Sequence, residues 1–237
     1  MGEVRMRLRL AKGEEVRFLS HLELSRAVER AVRRAGLPVA LSEGFHPLPR
    51  ISFASALAVG ATSEGEYADL ILREEMAAEE VQERLNRALP PGIRVLKAQK
   101  VPLRLPALTA VVRRAEYLVR LLPPPPVPLE QAVRDLLALP EREKIIVERQ
   151  GKKGPRLVDV RPFLQGLRVL SPMGGGPKEG PEEGLQVWMA IKVGPEGAGR
   201  PEEVLSGLPW RPVHLQVHRL GLYPEGREGG EAPDYFI

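Results

Sequence analysis

The chain has 237 residues, 43% of them hydrophobic, enough for packed cores and for two domains of about 110 residues each. It has no cysteine, which excludes disulfides, thiolate zinc sites, iron–sulfur ligation and cysteine nucleophiles from this chain. The net charge of +4 is unevenly spread, with 10 Lys/Arg against 6 Asp/Glu in residues 1–60, 10 against 9 in 61–122 and 15 against 16 in 123–237. That local excess points to a polyanion partner at the first quarter; ordinary surface charge is the alternative.

Val4 to Leu10 alternates, with Val4, Met6, Leu8 and Leu10 on one face and Arg5, Arg7 and Arg9 on the other, the pattern of a half-buried strand. No apolar run reaches the roughly 20 residues that cross a bilayer, and this charged start lacks a signal-peptide core, so the expectation is a soluble, cytoplasmic protein. Lys12–Glu15 is a turn, and Ser20-His21-Leu22-Glu23 is a capping box opening a helix to about Ala35, stopped by Gly36 and Pro38. Its apolar stripe is Leu24, Ala27, Val28, Ala31 and Ala35; Arg26, Arg30, Arg33 and Arg34 face away, broken by Glu23 and Glu29.

After a Pro- and Gly-marked stretch at 42–49, Ile51–Val59 alternates as a strand, 60–65 turns, Tyr67–Leu72 is a strand, Ala77–Leu89 a helix and Ile93–Val101 a strand. The order β-α-β-β-α-β predicts an α+β, ferredoxin-like domain with an antiparallel sheet over 1–101. Residues 102–114, with two prolines and no clear period at their start, read as a linker. A second ferredoxin-like domain is predicted over 115–222. It has a strand at Glu116–Leu122, a helix at Leu129–Leu139 and a hairpin joining 144–150 to 156–161. An extra strand near Arg168–Leu170, a strand at Leu185–Val193, a short helix from Glu202 to Leu208 and a closing strand at Val213–Leu220 follow. Residues 171–184 and a tail at 223–237 read as mobile.

The three alternating arginines of the first strand are candidates to contact RNA, because a sheet face in this architecture is an open platform and arginine pairs with phosphate and stacks on bases. The alternative is a solvated face held by cross-strand pairs with Glu66 or Asp69. Arg17 and Arg50 extend the candidate RNA-binding set. The loop Ser42-Glu43-Gly44-Phe45-His46-Pro47-Leu48-Pro49-Arg50 places an aromatic, an imidazole and a guanidinium on a segment stiffened by prolines. It is read as a binding loop with Phe45 and His46 on RNA, or as an ordered connection with Phe45 plugging the core. The basic tip Gly151-Lys152-Lys153-Gly154 is either a phosphate contact or simply solvated.

His21 and His46 are the two candidates for a general base in metal-free RNA cleavage, with no catalytic residue assigned. His214 and His218 share a strand face, but four residues at about 3.3 Å each put them roughly 13 Å apart, too far for one metal. No phosphate loop, HExxH zinc motif or GxSxG elbow occurs. No metal and no cofactor is expected in this chain.

Val16-Arg17-Phe18-Leu19-Ser20-His21-Leu22-Glu23-Leu24, Ala35-Gly36-Leu37-Pro38, Ser42-Glu43-Gly44-Phe45-His46-Pro47, Arg50-Ile51-Ser52-Phe53-Ala54 and Glu66-Tyr67-Ala68-Asp69 closely resemble the radical-SAM-linked protein family, a bacterial domain of unknown function. Val158-Asp159-Val160-Arg161-Pro162 and Arg200-Pro201-Glu202-Glu203-Val204-Leu205 extend the match into the second half. The resemblance implies association with a radical-SAM protein carrying a cobalamin-type region, and it carries over no catalytic residue. Phe18, Ser42, Glu43, Gly44 and Phe45 are the candidate docking residues for that partner. The tandem layout also resembles the repeat-processing CRISPR endoribonucleases at the level of fold. Three functions follow as expectations. The first is a non-catalytic RNA-binding or substrate-presenting adaptor for a radical-SAM enzyme in tRNA or rRNA modification or processing; the others are a docking module without RNA contact and a metal-independent endoribonuclease.

Overall fold

Val4, Met6, Leu8 and Leu10 do alternate with arginines along a strand, β1 (Val4–Lys12), which hydrogen-bonds antiparallel to β3 (Thr62–Leu72) on one side and β4 (Ile93–Val101) on the other. The computed structural model describes residues 2–151, 154–172, 184–195 and 197–224. Two compact units make up the chain, one running to Arg113 and resuming at Arg219, the other spanning Arg114–His218. The fold is mixed α+β with antiparallel strand pairing.

In the first unit, the edge of β3 away from β1 carries β2 (Ile51–Phe53) opposite Ala68–Leu70, and also β10 (His214–Pro224), whose residues from Arg219 belong here. The strand expected to run to Val59 stops at Phe53. Beyond it the Ala56 carbonyl leaves the ladder to accept from Arg219 Nη1 at 3.1 Å. α1 (His21–Arg34) opens with the expected capping box: Ser20 N donates to Glu23 Oε2 at 2.8 Å, and Ser20 Oγ accepts from Glu23 N. Gly36, at φ +62°, ends it in the left-handed conformation that glycine adopts without strain.

α1 buries Leu24, Ala27, Val28, Ala31 and Val32, so Val32 takes the place expected of Ala35. α2 (Ala78–Ala88) buries Val81 and Leu85. Both helices pack on the Met6, Leu8, Leu10, Ala68, Leu70 and Leu72 face of the sheet to form one core, each large aliphatic side chain contributing about 1.5–3 kcal/mol. Where the β1–β4 register shifts between Arg9 and Leu10, the Asn86 amide takes over from the ladder: Nδ2 donates to Val95 O at 2.9 Å and Oδ1 accepts from Val95 N at 2.8 Å.

The segment expected as a linker, 102–114, is structured. It contains α3 (Leu108–Val111), whose Leu108 is buried and which packs against β2 and β3, and it leads directly into β5 (Val112–Leu122).

In the second unit β5 pairs antiparallel with β9 (Leu185–Lys192), which pairs antiparallel with β8 (Leu164–Pro172); β10 begins on the other side of β5, where Val213 N donates to Leu122 O at 2.9 Å. α4 (Leu129–Leu137) packs on β8, and α5 (Pro201–Leu205) precedes β10. The expected hairpin forms, as β6 (Ile146–Gly151) and β7 (Gly154–Asp159), but it is a separate two-stranded ribbon. The stretch taken as an extra strand near Arg168–Leu170 is instead the nine-residue sheet strand β8. Local alternation shows that a strand exists, not which sheet it joins. The closing strand is also longer than expected: it divides between the units, and it takes in Tyr223 and Pro224, the first residues of the expected tail. The Lys152-Lys153 tip, most of the loop expected at 171–184 and the rest of the expected tail lie outside the described residues.

Candidate functional site

The arginines of β1 face the side of the sheet opposite α1 and α2, but they do not form an open platform. Arg7 is 5% exposed and grips Asp69, directly opposite on β3, with both carboxylate oxygens: Nε to Oδ1 at 2.7 Å and Nη2 to Oδ2 at 2.9 Å. Arg5 Nη1 donates to Leu105 O at 2.6 Å and lies 3.8 Å from Asp69. Arg9 Nε donates to Glu64 O at 2.9 Å. Residues 102–111 return across this face, which is why a surface read as solvated is largely covered. Arg50 pairs with Glu3 at 2.6 Å.

A buried polar cluster lies by the N-terminus of α1. Arg219 and Glu66, both fully buried, form a two-point ion pair, with Nε to Oε1 at 2.8 Å and a second contact from Nη2 to Oε2. Lys12, 1% exposed, donates through Nζ to the carbonyls of Arg17 at 2.7 Å and Leu19 at 2.8 Å. Burial pushes its ammonium below its ordinary value, Glu66 opposing and Arg219 adding to the effect. The Lys12 bonds fix the turn between two carbonyls and hold Phe18, 69% exposed, out in solvent under the Arg17 guanidinium, which sits 4.6 Å above its ring. This anchor was not legible beforehand, because Lys12 reads as part of a surface turn.

His21 meets Phe53 edge-on at 5.3 Å between ring centres. Burial lowers its pKa, and its Nδ1 is buried without a hydrogen-bond partner. His46 is exposed and makes no hydrogen bond to a described residue. Neither imidazole is oriented by a hydrogen-bonded carboxylate or hydroxyl, as a general base ordinarily is.

The loop at 42–50 is a closed, projecting structure. Leu41 and Pro49 form a bridge, Ser42 N donates to Leu48 O at 2.8 Å, and Leu48 N donates to Ser42 Oγ at 3.1 Å. Gly44 takes φ +118° at the turn, and Phe45 beyond it is fully exposed, at 103%. Phe45 therefore does not plug the core. Ser42, Glu43, Gly44, Pro47 and Leu48 are exposed with it.

The open cationic surface is on the helices. Arg26, Arg30 and Arg33, at positions i, i+4 and i+7 of α1, are exposed on one face. Arg30 and Arg33 form no hydrogen bond or ion pair to a described residue, and Arg26 is near enough to Glu23 to lower its pKa, an effect secondary to the Ser20 hydrogen bonds. The ridge continues into an open cleft of about 730 Å³ lined by Arg34, Ala35, Arg84, Arg87 and the Ala88–Pro91 turn. Arg34 there donates to Ala88 O, Arg84 pairs with Glu80 at 2.5 Å and Arg87 pairs with Glu83.

In the second unit Arg149 pairs with Glu203, the Nη2–Oε2 contact being 2.6 Å, and lies 5.8 Å above the Phe163 ring. His214 and His218 both lie on β10. Among the described residues no three His, Cys, Asp or Glu side chains are grouped to hold a metal, and no helix is long and apolar enough to cross a membrane.

A family model matches residues 5–201, and the chain belongs to that family, described as an uncharacterized protein conserved in bacteria (DUF2344). No curated protein matches the chain. Among solved structures it is similar to a chain of a Cbf5-Nop10-Gar1 complex, with 11% identity over 93% of this chain and 50% of that one at a TM-score of 0.49. It is also similar to a chain of an H/ACA RNP bound to a substrate RNA containing 2'-deoxyuridine (10% identity, 93% and 49% covered, TM-score 0.43). A third similarity is to the archaeal box H/ACA sRNP Nop10-Cbf5 complex (11% identity, 93% and 49% covered, TM-score 0.43). The chain spans about half the length of the solved chains it matches. At this identity and these TM-scores, what those complexes bind is a property of theirs alone.

Proposed function

We propose that the chain is a non-catalytic, cytoplasmic RNA-binding adaptor that presents RNA to a partner enzyme, with the α1 face as its contact surface. The observation that carries this reading is the Arg26–Arg30–Arg33 ridge, exposed guanidiniums at helical spacing where a phosphate backbone can lie across them. Arg5, Arg7 and Arg9 have internal partners; Arg17 and Phe18 form a second, stacked contact on the same unit. The partner is a radical-SAM enzyme, a reading that rests on the family resemblance in sequence, and any cluster or radical chemistry belongs to it. The finer fold reading, two tandem ferredoxin-like domains, is supported by the strand sequences β4-β1-β3-β2 in the first unit and β10-β5-β9-β8 in the second.

Filter binding of bulk tRNA across a salt series tests the RNA reading. The wild type binds with a negative salt slope, and Arg26→Glu with Arg30→Glu and Arg33→Glu flattens that slope by about 2–3. Absence of wild-type affinity at low salt sinks RNA binding; an unchanged triple variant removes the contact from α1.

A second reading, docking of the partner enzyme without RNA, is favoured by the Phe45 loop. Phe45 stands fully exposed on a hydrogen-bonded turn, and exposed aromatics of this kind anchor protein interfaces. Capture of a radical-SAM partner that is lost in Phe45→Ala and indifferent to ribonuclease supports docking.

A further inference from the structure

We infer that the cleft between the C-terminal turns of α1 and α2 is a receptor for a terminal phosphomonoester, either the phosphorylated end of an RNA strand or a free mononucleotide. The inference rests in part on the RNA reading above and deepens it. Arg34 enters from α1, Arg84 and Arg87 from α2, and Leu89, Pro90 and Pro91 complete the lining. At about 730 Å³ the space lies within the about 300–1,000 Å³ of small-ligand sites. Arginines and prolines lining one cleft suit a nucleotide, because a guanidinium forks onto phosphate oxygens while apolar residues receive a sugar or base.

The number of charges selects the end of a strand over its middle. A phosphomonoester carries about −1.5 to −2 near neutral pH, against about −1 for an internal diester, so it competes better than a diester for the guanidiniums that line the cleft. The two helix C-termini place partial negative charge nearby, roughly half a unit each, and Glu80 and Glu83 sit beside Arg84 and Arg87, so the monoester binds by taking over those exposed pairs rather than by an excess of charge. The existing partners do not close the site. Exposed i,i+4 pairs such as Arg84–Glu80 and Arg87–Glu83 are weak and exchange readily, and the Arg87 side chain is 73% exposed. Arg34 spends one donor on the Ala88 carbonyl and keeps the rest of its fork.

The test compares one single-stranded RNA decamer as its 5′-phosphate, 3′-phosphate and unphosphorylated forms, with AMP as the free nucleotide, by fluorescence competition and by NMR shifts on the full chain. The inference expects at least one phosphorylated form to bind about tenfold or more tighter than the unphosphorylated strand, and Arg34→Ala with Arg87→Ala to erase that preference while general salt-dependent RNA binding persists. Both residues are exposed, so the variant folds, checked by circular dichroism. AMP binding as tightly as the decamer assigns the site to free nucleotides; a tighter decamer assigns it to strand ends. Equal binding of all strands with no AMP binding overturns the inference and leaves the RNA reading standing. AMP binding lost in the double variant, with no strand bound, upholds the site and overturns the RNA reading.

Discussion

Arg219 and Glu66 bond to each other through two contacts although 153 residues separate them in sequence, and neither side chain reaches solvent. Such a pair is costly to desolvate, and removing one partner is worse than removing both. Glu66→Ala is expected to destabilise the fold by about 3–5 kcal/mol, whereas Glu66→Leu combined with Arg219→Met recovers most of that loss. Urea unfolding of the two variants measures the difference; equal losses would show that the pair is incidental.

Two sets of arginines, similar in composition, are expected to behave oppositely. Arg7→Ala strands the buried Asp69 carboxylate and costs about 3–5 kcal/mol, read as a lower urea midpoint. Each of Arg26→Ala, Arg30→Ala and Arg33→Ala stays within about 0.5 kcal/mol, as substitutions on an exposed face do.

His21 contributes a pH dependence whose sign follows from its environment. Burial lowers its pKa from 6.5, with Glu66 raising and Arg219 lowering it further, so between the lowered value and 6.5 the unfolded chain binds more protons than the folded one. Stability from this group rises with pH through that interval and is lost on acidification. Unfolding midpoints at about pH 5 and about pH 7.5 are expected to differ less in His21→Gln than in the parent. An identical difference would show that the imidazole is not the titrating group.

Gly65 crosses Gly221 of β10 so closely that an added Cβ would lie 2.5 Å from the Gly221 Cα and 2.7 Å from the Leu220 carbonyl. Backbone cannot swing aside as a side chain can. Gly65→Ala is therefore expected to cost about 1–3 kcal/mol. Gly221→Ala, whose added methyl first meets the Tyr223 hydroxyl at 3.0 Å, costs less. Thermal melts of the two variants rank them.

What could be read from the chain was what is local. The Ser20–Glu23 capping box, the stop at Gly36 and the alternation at Val4–Leu10 are encoded within a few residues, and each stands in the structure. The fate of the β1 arginines was not local: Arg7 finds its partner 62 residues away, and the segment that covers Arg5 lies 100 residues downstream. Alternation distinguishes two faces of a strand without saying whether the polar one meets water or a buried carboxylate. Lys12 was unreadable for the same reason, since its partners are backbone carbonyls that any residue type supplies. The helix arginines, expected on the outer face of α1, are exposed there.

Because β10 returns to the first unit, the order of synthesis and the order of completion differ. Glu66 emerges early and is buried near Lys12, yet the arginine it bonds to is translated 153 residues later, after the whole of Arg114–His218. Until then that carboxylate lacks its two-point arginine partner, and the edge of β3 lacks β10. The nascent chain is thus held short of its final stability until its closing strand arrives, and a truncation before Arg219 leaves the earlier half permanently in that unfinished state.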